Sequence, residues 1–223
     1  MEFLILIFIA LSGLIFSISV HESSHAWMAN RLGDPTAKLM GRISLDPRDH
    51  IDPVGTVLFP LMALILGLPV LGWAKPTPFN PWNLNNPKVD SALISFAGPA
   101  SNFVLALLFA LPLRFGLIPF VDPFNPLNQQ QFFLLDPVEK TGFLISGMVI
   151  LNVILGLFNL IPIHPLDGFK VIGGLLPKSA YYQWVSLERI GPLLLLALIF
   201  FGGGVISLFL SPLLNLILQL LIG

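Results

Sequence analysis

Apolar residues along this chain are gathered into five long blocks, with little alternation of polar and apolar positions. That pattern predicts helices solvated by lipid, not amphipathic surface helices. The first block runs from about Phe3 to Leu32 and continues without a breaker through His21-Glu22-Ser23-Ser24-His25. The second, about Val54 to Leu71, is interrupted by Gly55, Pro60, Gly67 and Pro69. The third runs from about Ser91 to Leu117, and the fourth from about Thr141 into Phe158. The fourth then breaks up at Asn159-Leu160-Ile161-Pro162-Ile163-His164-Pro165-Leu166-Asp167-Gly168. The last spans Ile190 to Ile222 with Gly202, Gly203 and Gly204 in its middle, and reads as one crossing plus an interfacial helix or as two short crossings. Polar loops rich in Pro and Gly lie at 33–53, 72–90, 118–140 and 169–189. None is long enough for a separate folded domain. With no internal repeat, the chain reads as a single integral-membrane domain over 1–223. Its core covers about 1–189 and its C-terminal membrane helices about 190–222.

Composition agrees. The 223 residues are 55% hydrophobic and 10% charged, and the mean hydropathy is +0.87, whereas a soluble domain carries about 25% charged residues. The expected class is an all-α polytopic membrane protein with about four or five transmembrane helices. The formal net charge is -1 and no basic run occurs, so nothing points to a nucleic-acid partner. Cysteine is absent, which excludes disulfides, thiolate metal sites and cysteine nucleophiles. Met1-Glu2-Phe3 carries no positive charge and no convincing small-residue cleavage site follows, so the first block reads as a retained helix rather than a signal peptide.

Within this apolar background, His21-Glu22-x-x-His25 carries the chemistry. Residues four apart share one helix face, so both imidazoles can reach one ion. The Glu beside the first of them can take a proton from water at that metal. A chance match or a polar packing face is the bland alternative. Against it, ionisable groups at the end of an apolar helix are costly and usually functional. A catalytic zinc site has three protein ligands and one open position. The third is left among His50, His164 and a carboxylate. Asp167 is the best candidate because Pro162 and Pro165 unwind the fourth block just before it. His50, among Asp46, Asp49 and Asp52, reads as a loop-ordering or solvated residue. Trp27, Trp73, Trp82 and Trp184 stand near block ends, as interfacial anchors do.

The sequence resembles the site-2 protease family of intramembrane zinc metalloproteases, in its short form without a PDZ domain. His21 to His25 fits that family's HExxH, and residues 159–168 fit its Asn-x-x-Pro-x-x-x-Leu-Asp-Gly at every fixed position. Gly98-Pro99-Ala100-Ser101-Asn102 resembles its Gly-Pro-x-x-Asn element. Residues 41–47, 50–56 and 72–76 are similar to the short members. The likeness covers roughly 20 to 170. It implies one Zn2+ per chain held by His21, His25 and Asp167, with Glu22 as base and then proton donor. It implies Asn159 at the substrate backbone and Asn102 lining the same cavity. The implied substrate is a transmembrane protein, cut in or near its membrane segment.

Topology follows from lengths. His21 lies about 27 Å along block one, and Asn159 about 26 Å into block four, at 1.5 Å per residue. Both depths approach the full hydrocarbon thickness, so blocks one and four must cross in the same direction to share an ion. Block two must then turn back as a re-entrant or interfacial hairpin, with strand character over 41–75 as one form it could take. A strand edge there would clamp an extended substrate. With block two re-entrant, nine cations (Arg31, Lys38, Arg42, Arg48, Lys75, Lys88, Lys170, Lys178, Arg189) lie on one side and Arg114 and Lys140 on the other. The positive-inside rule then expects a multi-pass cell-membrane protein, its N-terminus outside and its zinc site near the cytoplasmic face. An ion- or proton-conducting transporter is the rival reading of the same cluster, and a non-catalytic scaffold a second. The first often shows repeated halves and broken helices, and only the broken helix is present.

Overall fold

A computed structural model describes residues 2–59, 61–62 and 73–223. Among them the fold is all-α with no strand. Four helices are long and apolar enough to cross a membrane: Leu4–Arg31, Pro87–Arg114, Pro137–Asn159 and Gly203–Ile222. The first belongs to α1 (Glu2–Arg31), which is followed by a single turn, α2 (Thr36–Leu39). The second is α3 (Pro87–Arg114). After the short α4 (Pro126–Gln130) comes the third, α5 (Pro137–Asn159). Then follow α6 (Asp167–Leu175), α7 (Lys178–Ser186), α8 (Gly191–Phe201) and α9 (Gly203–Ile222). Residues 178–189 and α8 together pass the same test with a 66° bend, which would make a fifth span.

The helix starts have local causes. Proline stands at the first turn of both α3 and α5, where its missing N–H costs nothing. Asp136 and Glu139 form a capping box at the start of α5. Both helices therefore begin about four residues earlier than the apolar pattern alone predicts. Gly33 and Gly116, just past α1 and α3, take φ of 105° and 65°, a left-handed stop that glycine adopts without steric cost.

Packing fixes the directions. Ser17 receives a hydrogen bond from Asn152, and Gly13 faces Met148, so α1 and α5 run parallel at a constant register. Gly156 faces Phe103, while Ala106 clusters with Val153 and Ala110 with Val149, so α3 runs antiparallel to α5. The Arg114 guanidinium donates to the Leu220 carbonyl near the far end of α9, which lays α9 parallel to α3. The same-direction crossing of blocks one and four, expected from helix lengths, is thus present in the bundle.

Two expectations change. The strand form expected for 41–75 does not occur among its described residues. Helical turns at Pro47–Asp49 and Pro53–Leu58 stand there instead. Asp46 and Asp52 each precede a proline and accept from the amide two residues on, which winds the chain into a capped turn. The hairpin's own turn, 63–72, lies outside the described residues. Residues 169–189, expected as loop, form most of α6 and all of α7, whose Trp184 stacks on Phe169 with centroids 4.8 Å apart. That Trp packs against its own domain, whereas Trp82 is 92% exposed.

Hydrogen bonds of buried polar side chains hold the segments between α1 and α3. Asp34, fully buried, accepts from Thr36 Oγ1 at 2.5 Å, Asn80 N at 2.6 Å and Asn83 Nδ2 at 2.7 Å. Burial disfavours its carboxylate, and the donors from Thr36, Asn83 and Asn80 outweigh this to hold it below the usual range. Arg42, 3% exposed, donates to the carbonyls of Asp49, Lys75 and Pro76. Replacing Asp34 by Ala leaves several buried donors unpaired and should cost about 2–4 kcal/mol, read as a lower thermal midpoint in detergent. The contribution is present above about pH 4 and is lost as pH falls through the lower folded value, so the gap between wild type and variant should narrow in acid.

Candidate metal centre

The centre is built on the stripe of α1 that is buried against its neighbours. Ser17, His21, His25 and Ala29 recur every four residues and are all at most 8% exposed. The facing stripe of α3 includes Ile94, Gly98 and Asn102. His25 Nδ1 donates to the Ile94 carbonyl at 2.7 Å. A carbonyl can only accept, so Nδ1 carries a hydrogen and Nε2 is the nitrogen left for the interior. Gly98 leaves room for both rings: a Cβ there would stand 2.6 Å from His21 Nε2 and closer still to His25.

Asp167 is the first residue of α6, delivered by the turn at 160–166 that follows α5. Gly168 makes that turn possible, because a Cβ there would collide with the Leu160 and Ile161 carbonyls. Asp167 Oδ2 lies 3.1 Å from His21 Nε2 and 3.3 Å from His25 Nε2. The His21, Glu22 and His25 ligand atoms all lie within 4.8 Å of one another.

The remaining candidates are placed differently. Asn159 ends α5, half-buried, with Nδ2 donating to Leu155 O at 2.9 Å. Asn102 is fully buried, and neither of its amide atoms has a partner among the described residues. His50 is also fully buried; its Nε2 bonds the Ser44 carbonyl at 2.8 Å, so it orders the loop instead of facing solvent. His164 turns its ring edge to Phe169, with centroids 5.7 Å apart. Sequence reasoning missed Thr77. Its N and Oγ1 donate to Glu22 Oε2 at 3.0 and 2.8 Å. No motif signals a contact that spans 55 residues.

No family model matches the chain, and no solved structure gives a significant match. Among curated proteins it is 36% identical over 189 residues to "Putative zinc metalloprotease YwhC" of Bacillus subtilis, across 83% of this chain and 77% of that protein. The chain belongs to the site-2 protease family. A more distant member, "Putative zinc metalloprotease Rip2" of Mycobacterium tuberculosis, is 26% identical over 206 residues, 92% of this chain and 68% of that protein.

The zinc in those names can be tested against this site-2 protease's own side chains. His25 Nε2 faces a carboxylate oxygen at 3.3 Å. An unprotonated Nε2 and a carboxylate so placed are two acceptors, which repel unless a cation lies between them. Donors bound at about 2.0–2.1 Å in a tetrahedral zinc site stand roughly 3.3 Å apart, which is the spacing observed. Imidazole and carboxylate ligands suit zinc. The residues present therefore fit the ion.

Gly98 supplies the check. Gly98→Ala should push the two rings apart and lower zinc affinity roughly 10- to 100-fold, read by elemental analysis of purified protein against a zinc buffer. Gly204→Ala, where nothing lies within 4 Å, should leave zinc content unchanged.

Proposed function

We propose that this chain is an intramembrane zinc endopeptidase that hydrolyses peptide bonds in or near the membrane segments of other proteins. The observation that carries this reading is the meeting of His21, His25 and Asp167 at hydrogen-bond distance beside Glu22. In this reading the first three hold the metal and leave one position open for water, with the 1–223 chain acting as one catalytic domain. Zinc, when bound, lowers the pKa of water from about 15.7 towards 7 and polarises the scissile carbonyl.

Glu22 does the proton work. Its Oε2 is engaged by Thr77, while Oε1 has no hydrogen-bond partner among the described residues. Oε1 takes the proton from water as its oxygen attacks the carbonyl carbon. The same proton is then delivered to the amide nitrogen as the C–N bond breaks. Asn159, beside the turn that carries Asp167, is assigned to the substrate backbone, its Oδ1 accepting or its amide redirected from Leu155. Asn102 sits deeper, one helical turn from Gly98, and is assigned to the cavity wall. The excess of Lys and Arg on the side holding Arg31, Lys75 and Lys170 supports an N-terminus outside and a centre near the cytoplasmic face.

The test is cleavage of a single-pass substrate co-reconstituted with the purified chain in liposomes. Wild type should cut it, and a chelator should stop it. Glu22→Gln should retain about one zinc per chain and lose roughly a thousandfold or more in rate, since removing both base and proton donor sacrifices acid and base catalysis together. Cleavage that survives both the chelator and Glu22→Gln would sink this reading. Metal-dependent ion flux without proteolysis would replace it with the transporter.

A further inference from the structure

The extended segment Trp73–Asn80 crosses the side of α1 that carries Glu22, and its contacts go beyond what the metal centre needs. Its backbone is tied at both ends. Trp73 N donates to Gly55 O at 3.1 Å and Lys75 N to His50 O at 2.9 Å. Arg42 holds the Lys75 and Pro76 carbonyls, and Asn80 N donates to the buried Asp34. Pro76 and Pro78 flank Thr77, which fixes φ on either side and leaves Thr77 with the only backbone N–H of that triplet. Both Thr77 donors, N and Oγ1, end on one carboxylate oxygen of Glu22.

Thr77 Oγ1 also lies 3.1 Å from the Glu22 carbonyl. A hydroxyl has one hydrogen, and the charged oxygen at 2.8 Å is the stronger acceptor. A carboxylate whose Oε2 accepts two hydrogen bonds from an anchored strap loses its freedom to rotate about the Cγ–Cδ bond. That fixes the place of the remaining oxygen, Oε1, on a carboxylate of which one oxygen lies within 4.8 Å of a ring nitrogen of each of His21 and His25.

We propose that Thr77 is a positioning residue for Glu22. The strap fixes Oε2 so that Oε1 meets water at the geometry the proton transfer requires. This rests on the protease reading, and it predicts a defect in rate and not in binding. Removing the hydroxyl leaves substrate and metal contacts intact but takes one of the two donors from Oε2, which loosens the carboxylate, and misplacement of a catalytic group by about 1 Å can cost up to 10²-fold.

The experiment compares wild type, Thr77→Val, Thr77→Ser and Glu22→Gln in the liposome cleavage assay, with zinc content measured on each. Thr77→Val should lower kcat roughly 10-fold or more while KM and zinc content stay within about twofold of wild type. Thr77→Ser, which restores the donor, should recover most of the rate. The proposal is overturned if Thr77→Val keeps the wild-type kcat, if it raises kcat, if its loss follows zinc content, or if Thr77→Ser is as slow as Thr77→Val. A wild type that cleaves and a Glu22→Gln that does not would keep the protease reading intact whatever Thr77 does. Hydrogen exchange across residues 73–80 in the full metal-free chain reads the contact without catalysis. Glu22→Ala should speed exchange at Thr77, and equal exchange would also overturn the proposal.

Discussion

Two imidazole nitrogens converge on a single carboxylate oxygen inside a helical bundle, and the rest of the fold follows from holding that contact. His25 commits one nitrogen to the Ile94 carbonyl, so only Nε2 is left for the Asp167 oxygen opposite. In a low-dielectric interior that contact is favourable only with positive charge in it, a proton or a cation. The helices must therefore supply enough packing to hold these groups within 3.3 Å. They do so by register. α1 and α5 run parallel through Gly13–Met148 and Ser17–Asn152, so the end of α5 arrives at the level of the histidines, and the turn at 160–166 carries Asp167 the remaining distance. α3 runs the opposite way between them and contributes Gly98, whose missing side chain is the space that the rings fill.

The second constraint lies outside the spans, where the described residues between α1 and α3 form no sheet to satisfy their backbone. Three buried polar side chains take that part. Asp34 binds the start of the Pro81–Asn83 turn through Asn80 and Asn83. Arg42 gathers carbonyls from Asp49, Lys75 and Pro76. His50 closes on Ser44 and receives Lys75 N. Each is a charged or aromatic polar group buried with its own set of backbone partners, which suits a segment that must be rigid without regular structure. Its rigidity matters because the same segment carries Thr77 to Glu22. The electrostatic centre and the loop network are joined through that one residue.

These two levels differ in how far they could be read from sequence. The spans were legible because lipid demands about 20 apolar residues per crossing, and the blocks met that length. The histidine pair was legible because helix periodicity converts spacing directly into a shared face. Asp167 was legible through Pro162 and Pro165, since a helix that breaks at membrane depth must be breaking around something. Local signals that the apolar pattern overrode were also present: Asp136-Pro137-x-Glu139 announces the start of α5, and Asp46-Pro47 and Asp52-Pro53 announce turns in the hairpin region where strand was one expected form. The α6–α7 pair was hidden because residues 169–189 have too little apolar content to read as a span, though Phe169 and Trp184 pack as a small core. Thr77 left no trace, because a tertiary hydrogen bond between a loop and a helix has no period.

What the bundle buries also explains why an ionisable centre is tolerated there. The sides facing outward carry Leu4, Phe8, Phe16, Val104 and Leu108, all exposed. The fully enclosed positions include Ser17, Asn102, Ser146 and Asn152. In water this arrangement would be inverted, but in lipid the apolar side chains lose nothing by facing out. Small and polar residues inside let helix backbones approach closely and bond across, as Asn152 does to Ser17 at 3.0 Å. That polar interior runs along α1 directly into His21, one turn below Ser17. The candidate metal centre is thus the end of a polar seam along α1, and its side chains meet neighbours of their own kind instead of hydrocarbon. A charge that would be costly on the outer face of α1 is placed on the one face where the helices already hold hydrogen-bonding groups.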